Sequence, residues 1–296
     1  MSTRLERLSP CKVNFLLNIL GKRADGFHEL ETLFHPVALN DELSLRREGN
    51  GIRLTCNNPA LPTDAGNLVY RAAQKFLEAA RISEGVLIHL EKRVPLAAGL
   101  GGGSSNAAVT LLGLNELFGG PLGAAELTRI AAALGSDVPF FLQDRPALGV
   151  GRGEQIESLE NFSSLVGVYI VLVHPGFGIS TAWAYKNLAR FPEALNGRPG
   201  RALELVERLR SGTIEEAAPL FYNSLEAPAL EKYPILGMFQ EFFRDHGAAL
   251  SLMSGSGSTT FALAASRPLA DELAERFKAK FGDGAWMAVA PLAKEQ

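Results

Sequence analysis

Apolar and polar positions alternate over residues 11–20 (CKVNFLLNIL), which predicts a strand with Val13, Phe15 and Leu17 on one face. A turn follows at 21–28 (GKRADGFH), marked by Asp25-Gly26. Short apolar runs in 31–45 predict further strands, and Asn, Pro, Asp and Gly mark a loop at 57–66. Asn67 is placed to cap a helix to about residue 81, with Leu68, Ala72 and Phe76 on one face. Strict alternation of Val86, Ile88 and Leu90 predicts a strand at 86–92. A glycine-rich loop occupies 95–103, and helices are predicted from Ser104 or Ser105 to about 118 and over 124–134. The apolar run at 168–173 (VYIVLV) reads as a strand. The second half predicts helices near 201–211, 213–222, 229–246 and 268–281, strands at 259–264 and 285–290, and a Pro/Gly/Asn-rich loop at 190–201. No repeat of fixed period is present. Strands and helices mix without regular βαβ alternation, so the fold class is α+β with largely antiparallel sheets. A domain boundary is expected near 155–165, giving 1–160 and 161–296.

Composition narrows the function. The 296 residues suit one large or two medium domains, and 47% hydrophobic with 21% charged residues supports a real core. The net charge of −3 gives no basic footprint for nucleic acid or an anionic membrane. Cys11 and Cys56 form no CxxC pair or Cys/His cluster, so neither a zinc site nor a disulfide framework is expected. The start, MSTRLERLSP, has no apolar core of a signal peptide, and no stretch reaches the ~18 apolar residues of a spanning helix. A reducing cytoplasm fits these features.

The chemistry concentrates in four places. Gly99, Gly101, Gly102 and Gly103 lie between a strand and a helix, in VPLAAGLGGGSSNAA. Such a bend lets backbone N–H groups approach a ligand, and the helix N-terminus adds unsatisfied donors and partial positive charge. Together these suit a di- or triphosphate. Ser104 and Ser105 can cap the helix, donate to phosphate or approach a metal. The loop is not GxxxxGK[ST], since no Lys follows, nor GxGxxG, since Ser104 holds the third glycine's place. A tightly packed turn is the alternative. A second cluster, MSGSGSTTF at 253–261, lets backbone pass close to another segment or a ligand; a bulge or hairpin is its alternative. Asp137, in LGSDVP, reads as a hydroxyl base near a phosphate site or as a helix cap. Lys12, in SPCKVN, reads as a group that stabilises phosphoryl charge or as an edge-strand lysine. His28 is a turn histidine that suits base recognition or simple solvent exposure.

In order along the chain, SPCKVN, RADGFHEL, PTDAGNLVYRAA, PLAAGLGGGSSNAA, LGSDVP, GVGRGE, HPGFGIST and MSGSGSTTF resemble the GHMP kinase superfamily of small-molecule kinases. RADGFH and the triple glycine point to its members that act on a CDP-linked methylerythritol. The resemblance implies a two-domain α+β fold with an active-site cleft between domains. It implies transfer from ATP, with Mg2+, to the 2-hydroxyl of 4-diphosphocytidyl-2-C-methyl-D-erythritol. Another kinase of the superfamily, acting on mevalonate, homoserine or a sugar, is the alternative, with a non-catalytic nucleotide-binding module behind it. Lys12 and Asp137 would be catalytic, Asp137 as base. Asn67 would sit near adenine, and Pro95, Leu96, Ala97, Ala98, Gly99, Leu100, Gly101, Gly102, Gly103, Ser104 and Ser105 would wrap the phosphates. Asn14, Phe27, His28 and Tyr185 would line the substrate pocket, closed by Gly255, Ser256 and Gly257. No protein metal ligand is expected, and a monomer or homodimer without nucleic-acid or membrane partners is implied. Cys11 replaces the family's usual Ala and is expected to be sensitive to alkylation.

Overall fold

The computed structural model describes residues 3–195 and 197–292. It shows two compact units that alternate along the sequence rather than dividing at one point near residue 160. One contains residues up to Cys11, Leu39–Val94 and Gly101–Asp144; the other contains Lys12–Ala38, Pro95–Leu100 and the described residues from Arg145 onward. The cause is two long strands, Arg4–Lys22 and His28–Arg47, each of which contributes to both units. The short apolar runs at 31–45 are therefore one continuous strand.

In the first unit, His28–Arg47 pairs antiparallel with Val86–Glu91, from Glu42 opposite Glu91 to Arg47 opposite Val86. Val86–Glu91 pairs parallel with Ile52–Cys56. Helices Leu68–Ala80, Gly102–Leu117 and Ala124–Leu134 pack on one another. Asn67 caps the first, accepting from Val69 N at 2.9 Å. The glycine-loop helix is buried on nearly every side, and Gly113 lets it approach the sheet: a Cβ there would lie 2.3 Å from Leu45 Cδ1. This helix starts at Gly102, two residues before the earlier of its expected starts, because Gly101 takes the left-handed conformation (φ 69°) at its N-cap.

In the second unit, Tyr169–His174 lies between Thr260–Ala264 and Trp286–Pro291, with Leu250–Met253 beyond, all antiparallel. Helices Pro234–Asp245 and Arg267–Phe281 bury Phe239, Phe242, Phe243 and Phe277 in the same core, where Phe243 and Phe277 stack at 5.4 Å. The helix expected at 229–246 is two helices, Glu226–Lys232 and Pro234–Asp245, since Pro234 cannot continue a preceding helix. The one expected at 213–222 is a single turn, Ile214–Ala217, held by a Thr213/Glu216 capping box and followed by the short strand Tyr222–Asn223. That strand runs parallel to Arg4–Lys22, with Asn223 opposite Leu17. The 190–201 loop contains the one-turn helix Pro192–Leu195; Asn196 lies outside the described residues. Sequence reading missed helix Thr181–Leu188, which Ser180 of HPGFGIST caps. Among the described residues no helix is long and apolar enough to cross a membrane.

Candidate active site

Lys12 and Asn14 are two apart on a strand, so their side chains share a face. Both are buried, at 3% and 2% exposure. The Lys12 ammonium donates to Asn14 Oδ1 at 2.6 Å and to the Gly99 carbonyl at 3.1 Å, with the Phe34 ring 5.6 Å away. Asn14 Nδ2 donates to Thr32 Oγ1 at 2.8 Å, and Thr32 donates to the Leu16 carbonyl at 2.6 Å. Asn14 is thereby fixed with its oxygen toward the lysine. The backbone N–H of Lys12 also donates to the Leu100 carbonyl at 2.9 Å, so residues 95–100 lie along the strand that bears the lysine. Cys11 is fully buried, which shields its thiol and corrects the expected sensitivity to alkylation.

The two glycine clusters meet within the second unit. Ser254 Oγ donates to the Gly99 carbonyl at 2.9 Å, and Thr259 N donates to the Ala98 carbonyl at 3.2 Å. Gly99 has φ 77°, and a Cβ there would lie 2.1 Å from the Ser254 carbonyl oxygen. Gly255 has φ 58°, and its Cβ would lie 3.0 Å from the Gly99 oxygen. Glycine is required at both positions by conformation and by space. Ala97 also has positive φ (51°), a strained conformation for a residue with a side chain. Ser256 bonds to Thr181 through their hydroxyls at 2.9 Å.

Phe27 and His28 follow the Asp25-Gly26 turn. Asp25 accepts from Phe27 N at 3.1 Å, and the guanidinium of Arg152, from GVGRGE, lies 4.7 Å from the centre of the Phe27 ring. The His28 and Tyr185 rings are 5.0 Å apart, so the structure brings these two expected pocket residues together. Burial, with Lys22 nearby, moves His28 below its ordinary pKa and favours the neutral imidazole.

In the first unit the loop continues into Gly102–Leu117. The first intrahelical bond is Ser105 N to the Gly101 carbonyl, so the N–H groups of Gly102, Gly103 and Ser104 precede it. Ser105 is buried, its N–H donates to the Gly101 carbonyl, and its hydroxyl shares a hydrogen bond with Ser9 Oγ at 2.8 Å. Asn67 uses Nδ2 on the Pro62 carbonyl at 2.8 Å besides its cap. Asp137 lies half-buried in the turn between Ala124–Leu134 and the short helix Pro139–Leu142.

The family profile of the GHMP kinases N terminal domain matches residues 67–145, and that of the GHMP kinases C terminal matches 202–283. A 4-diphosphocytidyl-2-C-methyl-D-erythritol kinase of Syntrophotalea carbinolica is 41% identical, over 96% of each chain. The enzyme of the same name from Geobacter sulfurreducens is 37% identical over 97% of this chain and 98% of its own. The chain belongs to the GHMP kinases. The crystal structure of a 4-(cytidine 5'-diphospho)-2C-methyl-D-erythritol kinase superposes with TM-score 0.81 at 39% identity, covering 97% of this chain and 99% of the other. Mevalonate kinase of Methanococcus jannaschii shares the fold, with TM-score 0.76 at 13% identity over 99% of each chain.

As a GHMP kinase the protein uses ATP, and sequence reasoning missed part of what supports the loop. Asp41, fully buried, forms an ion pair with Lys92 and accepts from the backbone N–H groups of Arg93 and Val94 at 2.7 and 2.9 Å. Asn106 joins it, donating to Asp41 Oδ2 and Ser9 Oγ at 2.9 Å each. A Cβ on Gly102 would lie 3.2 Å from Lys92 Nζ, so a cation sits beneath the first turn of the glycine-loop helix. The available signal was the Lys92-Arg93 pair just before the loop.

Proposed function

We propose that this GHMP kinase transfers the γ-phosphoryl group of ATP to the 2-hydroxyl of 4-diphosphocytidyl-2-C-methyl-D-erythritol, a step of the non-mevalonate route to isoprenoids. The observation that carries the reading is the seating of Lys12 on the Gly99 carbonyl, where both glycine clusters meet. Relatives of that activity, alike over nearly the whole chain, supply the acceptor.

Within the loop from Pro95, the backbone N–H groups of Leu96 to Ser104, ending at the helix N-terminus, cradle the triphosphate. Ser105 anchors that helix through Ser9. Asn67 lies by the adenine. Asp137 accepts the proton of the 2-hydroxyl as that oxygen bonds to the γ-phosphorus and the bond to ADP breaks. The Lys12 ammonium stabilises the charge that develops on the attacking oxygen and the transferring group. Asn14 orients the lysine. His28, Phe27 and Tyr185 take the cytosine, with the neutral imidazole as hydrogen-bonding edge and the rings as stacking faces. Gly255, Ser256 and Gly257 face the substrate phosphates.

Among the described residues no group of three or more His, Cys, Asp or Glu is placed to hold a metal ion. An Mg2+ ion would be held chiefly by ATP oxygens, and the Ser104 hydroxyl is the loop side chain that would approach it. Such an ion would supply neutralisation of the phosphate charge. The N- and C-terminal family matches fall within 1–160 and 161–296, while the compact units interleave across that line. The free thiols of Cys11 and Cys56 suit a reducing cytoplasm.

ADP release measured with a panel of acceptors tests the reading. Turnover with the CDP-linked methylerythritol and none with mevalonate, homoserine or galactose is expected. Preferred turnover of another acceptor would replace it, and no turnover with any would favour a binding module.

A further inference from the structure

The Gly/Ser loop is held from beneath by a residue that no motif marks. Asn223 is 2% exposed, and each of its side-chain groups is engaged. Its amide nitrogen donates to the carbonyls of Met253 and Gly255, both at 2.8 Å, and its oxygen accepts from Leu225 N at 2.9 Å. The two carbonyls bracket Ser254, the residue whose hydroxyl reaches the Gly99 carbonyl at 2.9 Å. The Lys12 ammonium rests on that same carbonyl.

Asn223 is also locked to the strand that carries Lys12. It lies opposite Leu17, Ser224 N donates to the Leu17 carbonyl at 2.8 Å, and Ile19 N donates to Ser224 Oγ at 3.0 Å. The strand that bears the lysine therefore pairs with the short strand that bears the amide, and that amide fixes the loop beneath the lysine's carbonyl partner. Glu226, three residues on and partly buried, adds a third tie by accepting from Met253 N at 2.7 Å. Buried amides and carboxylates so fully committed to one backbone segment restrict it to a single placement.

We infer that Asn223 is a positioning residue for phosphoryl transfer: its amide sets Ser254, Ser254 sets the Gly99 carbonyl, and that carbonyl sets the Lys12 ammonium. The inference rests on the reading that Lys12 acts in the transfer step. Reaction geometry is sensitive to small displacements of a charged group, so the effect falls on kcat rather than on binding.

The test is steady-state kinetics of Asn223→Ser, Ser254→Ala, the double variant and Lys12→Met, with thermal midpoints measured in parallel. Both singles are expected to lower kcat roughly tenfold or more, the scale of losing a buried hydrogen-bond partner. KM for ATP and for the CDP-linked acceptor should hold, and the double should lose no more than the larger single. An unmoved kcat, or a rise in KM for both substrates that accounts for the loss, would overturn the inference. So would additive losses, which mean that Asn223 and Ser254 act separately. If Asn223→Ser does not fold, Ser254→Ala decides: a lowered kcat with KM unchanged supports the route, and an unchanged kcat ends it. A fully active Lys12→Met would instead end the reading on which the inference rests, which separates the two failures.

Discussion

The ammonium of Lys12 and the hydroxyl of Ser254 donate to one carbonyl oxygen, that of Gly99, from 3.1 and 2.9 Å. A carbonyl oxygen has two lone pairs, and both are used. The glycine bend thus fixes the direction of a charge. A lysine held this way keeps its geometry before substrate arrives, as electrostatic stabilisation of a transition state requires.

Removing that charge should show in the rate. Lys12→Met is expected to lower kcat by about a hundredfold or more, the usual scale for one electrostatic stabiliser. ATP affinity, measured by calorimetry, should change far less. An unchanged kcat would take Lys12 out of the mechanism.

Asp137→Asn preserves shape and removes the acceptor of the hydroxyl proton. Folding and ATP binding should remain intact while kcat falls by about two to four powers of ten. Circular dichroism, calorimetry and ADP release measured together check this. Near-normal turnover would exclude Asp137 as the base.

Gly99→Ala tests the contact between the glycine clusters. Its Cβ would lie 2.1 Å from the Ser254 carbonyl in a left-handed conformation, so the backbone must shift. Lower thermal stability, by about 1–3 kcal/mol as strained conformations cost, is expected together with loss of kcat. The conservative Gly103→Ala, whose Cβ meets only Leu68 Cδ1 at 3.6 Å, should leave stability nearly unchanged. Equal effects from both substitutions would refute this packing.

Glu226 gives a pH prediction. Burial raises its pKa from 4.5 to about 7, against the hydrogen bonds from Met253 and Gln240. The unfolded chain releases this proton near 4.5 and the folded chain keeps it to about 7, so the group's contribution to stability falls as pH rises between those values. Glu226→Gln keeps an acceptor for Met253 N and cannot ionise. Its thermal midpoint relative to the parent should therefore climb from below pH 4.5 to above pH 7 and then level off. A difference independent of pH would show that Glu226 does not titrate in this range.

Much of the site was legible in the sequence because it is local. Alternation placed Lys12 away from Val13 and Phe15, hence beside Asn14, and the glycine cluster marked the bend that meets the Gly/Ser loop. The α+β class followed from the irregular order of strands and helices. What was not legible depends on distant partners. Asn223 and Gly255 are 32 residues apart, and Asp41 and Lys92 are 51 apart. Nothing near Asn223 distinguishes it from an ordinary turn asparagine. The glycine-helix start was misplaced because it depends on the backbone angle of Gly101, which composition does not specify. Interleaved units were hidden because strands that run through both leave no shift in composition.

Phosphorus NMR of the product formed from ATP and the CDP-linked methylerythritol tests the central claim most directly. One new phosphomonoester on the 2-hydroxyl is expected, with the diphosphate bridge intact and one ADP formed per ester. ADP without that ester, or phosphate on the ribose of the cytidine, would contradict the account.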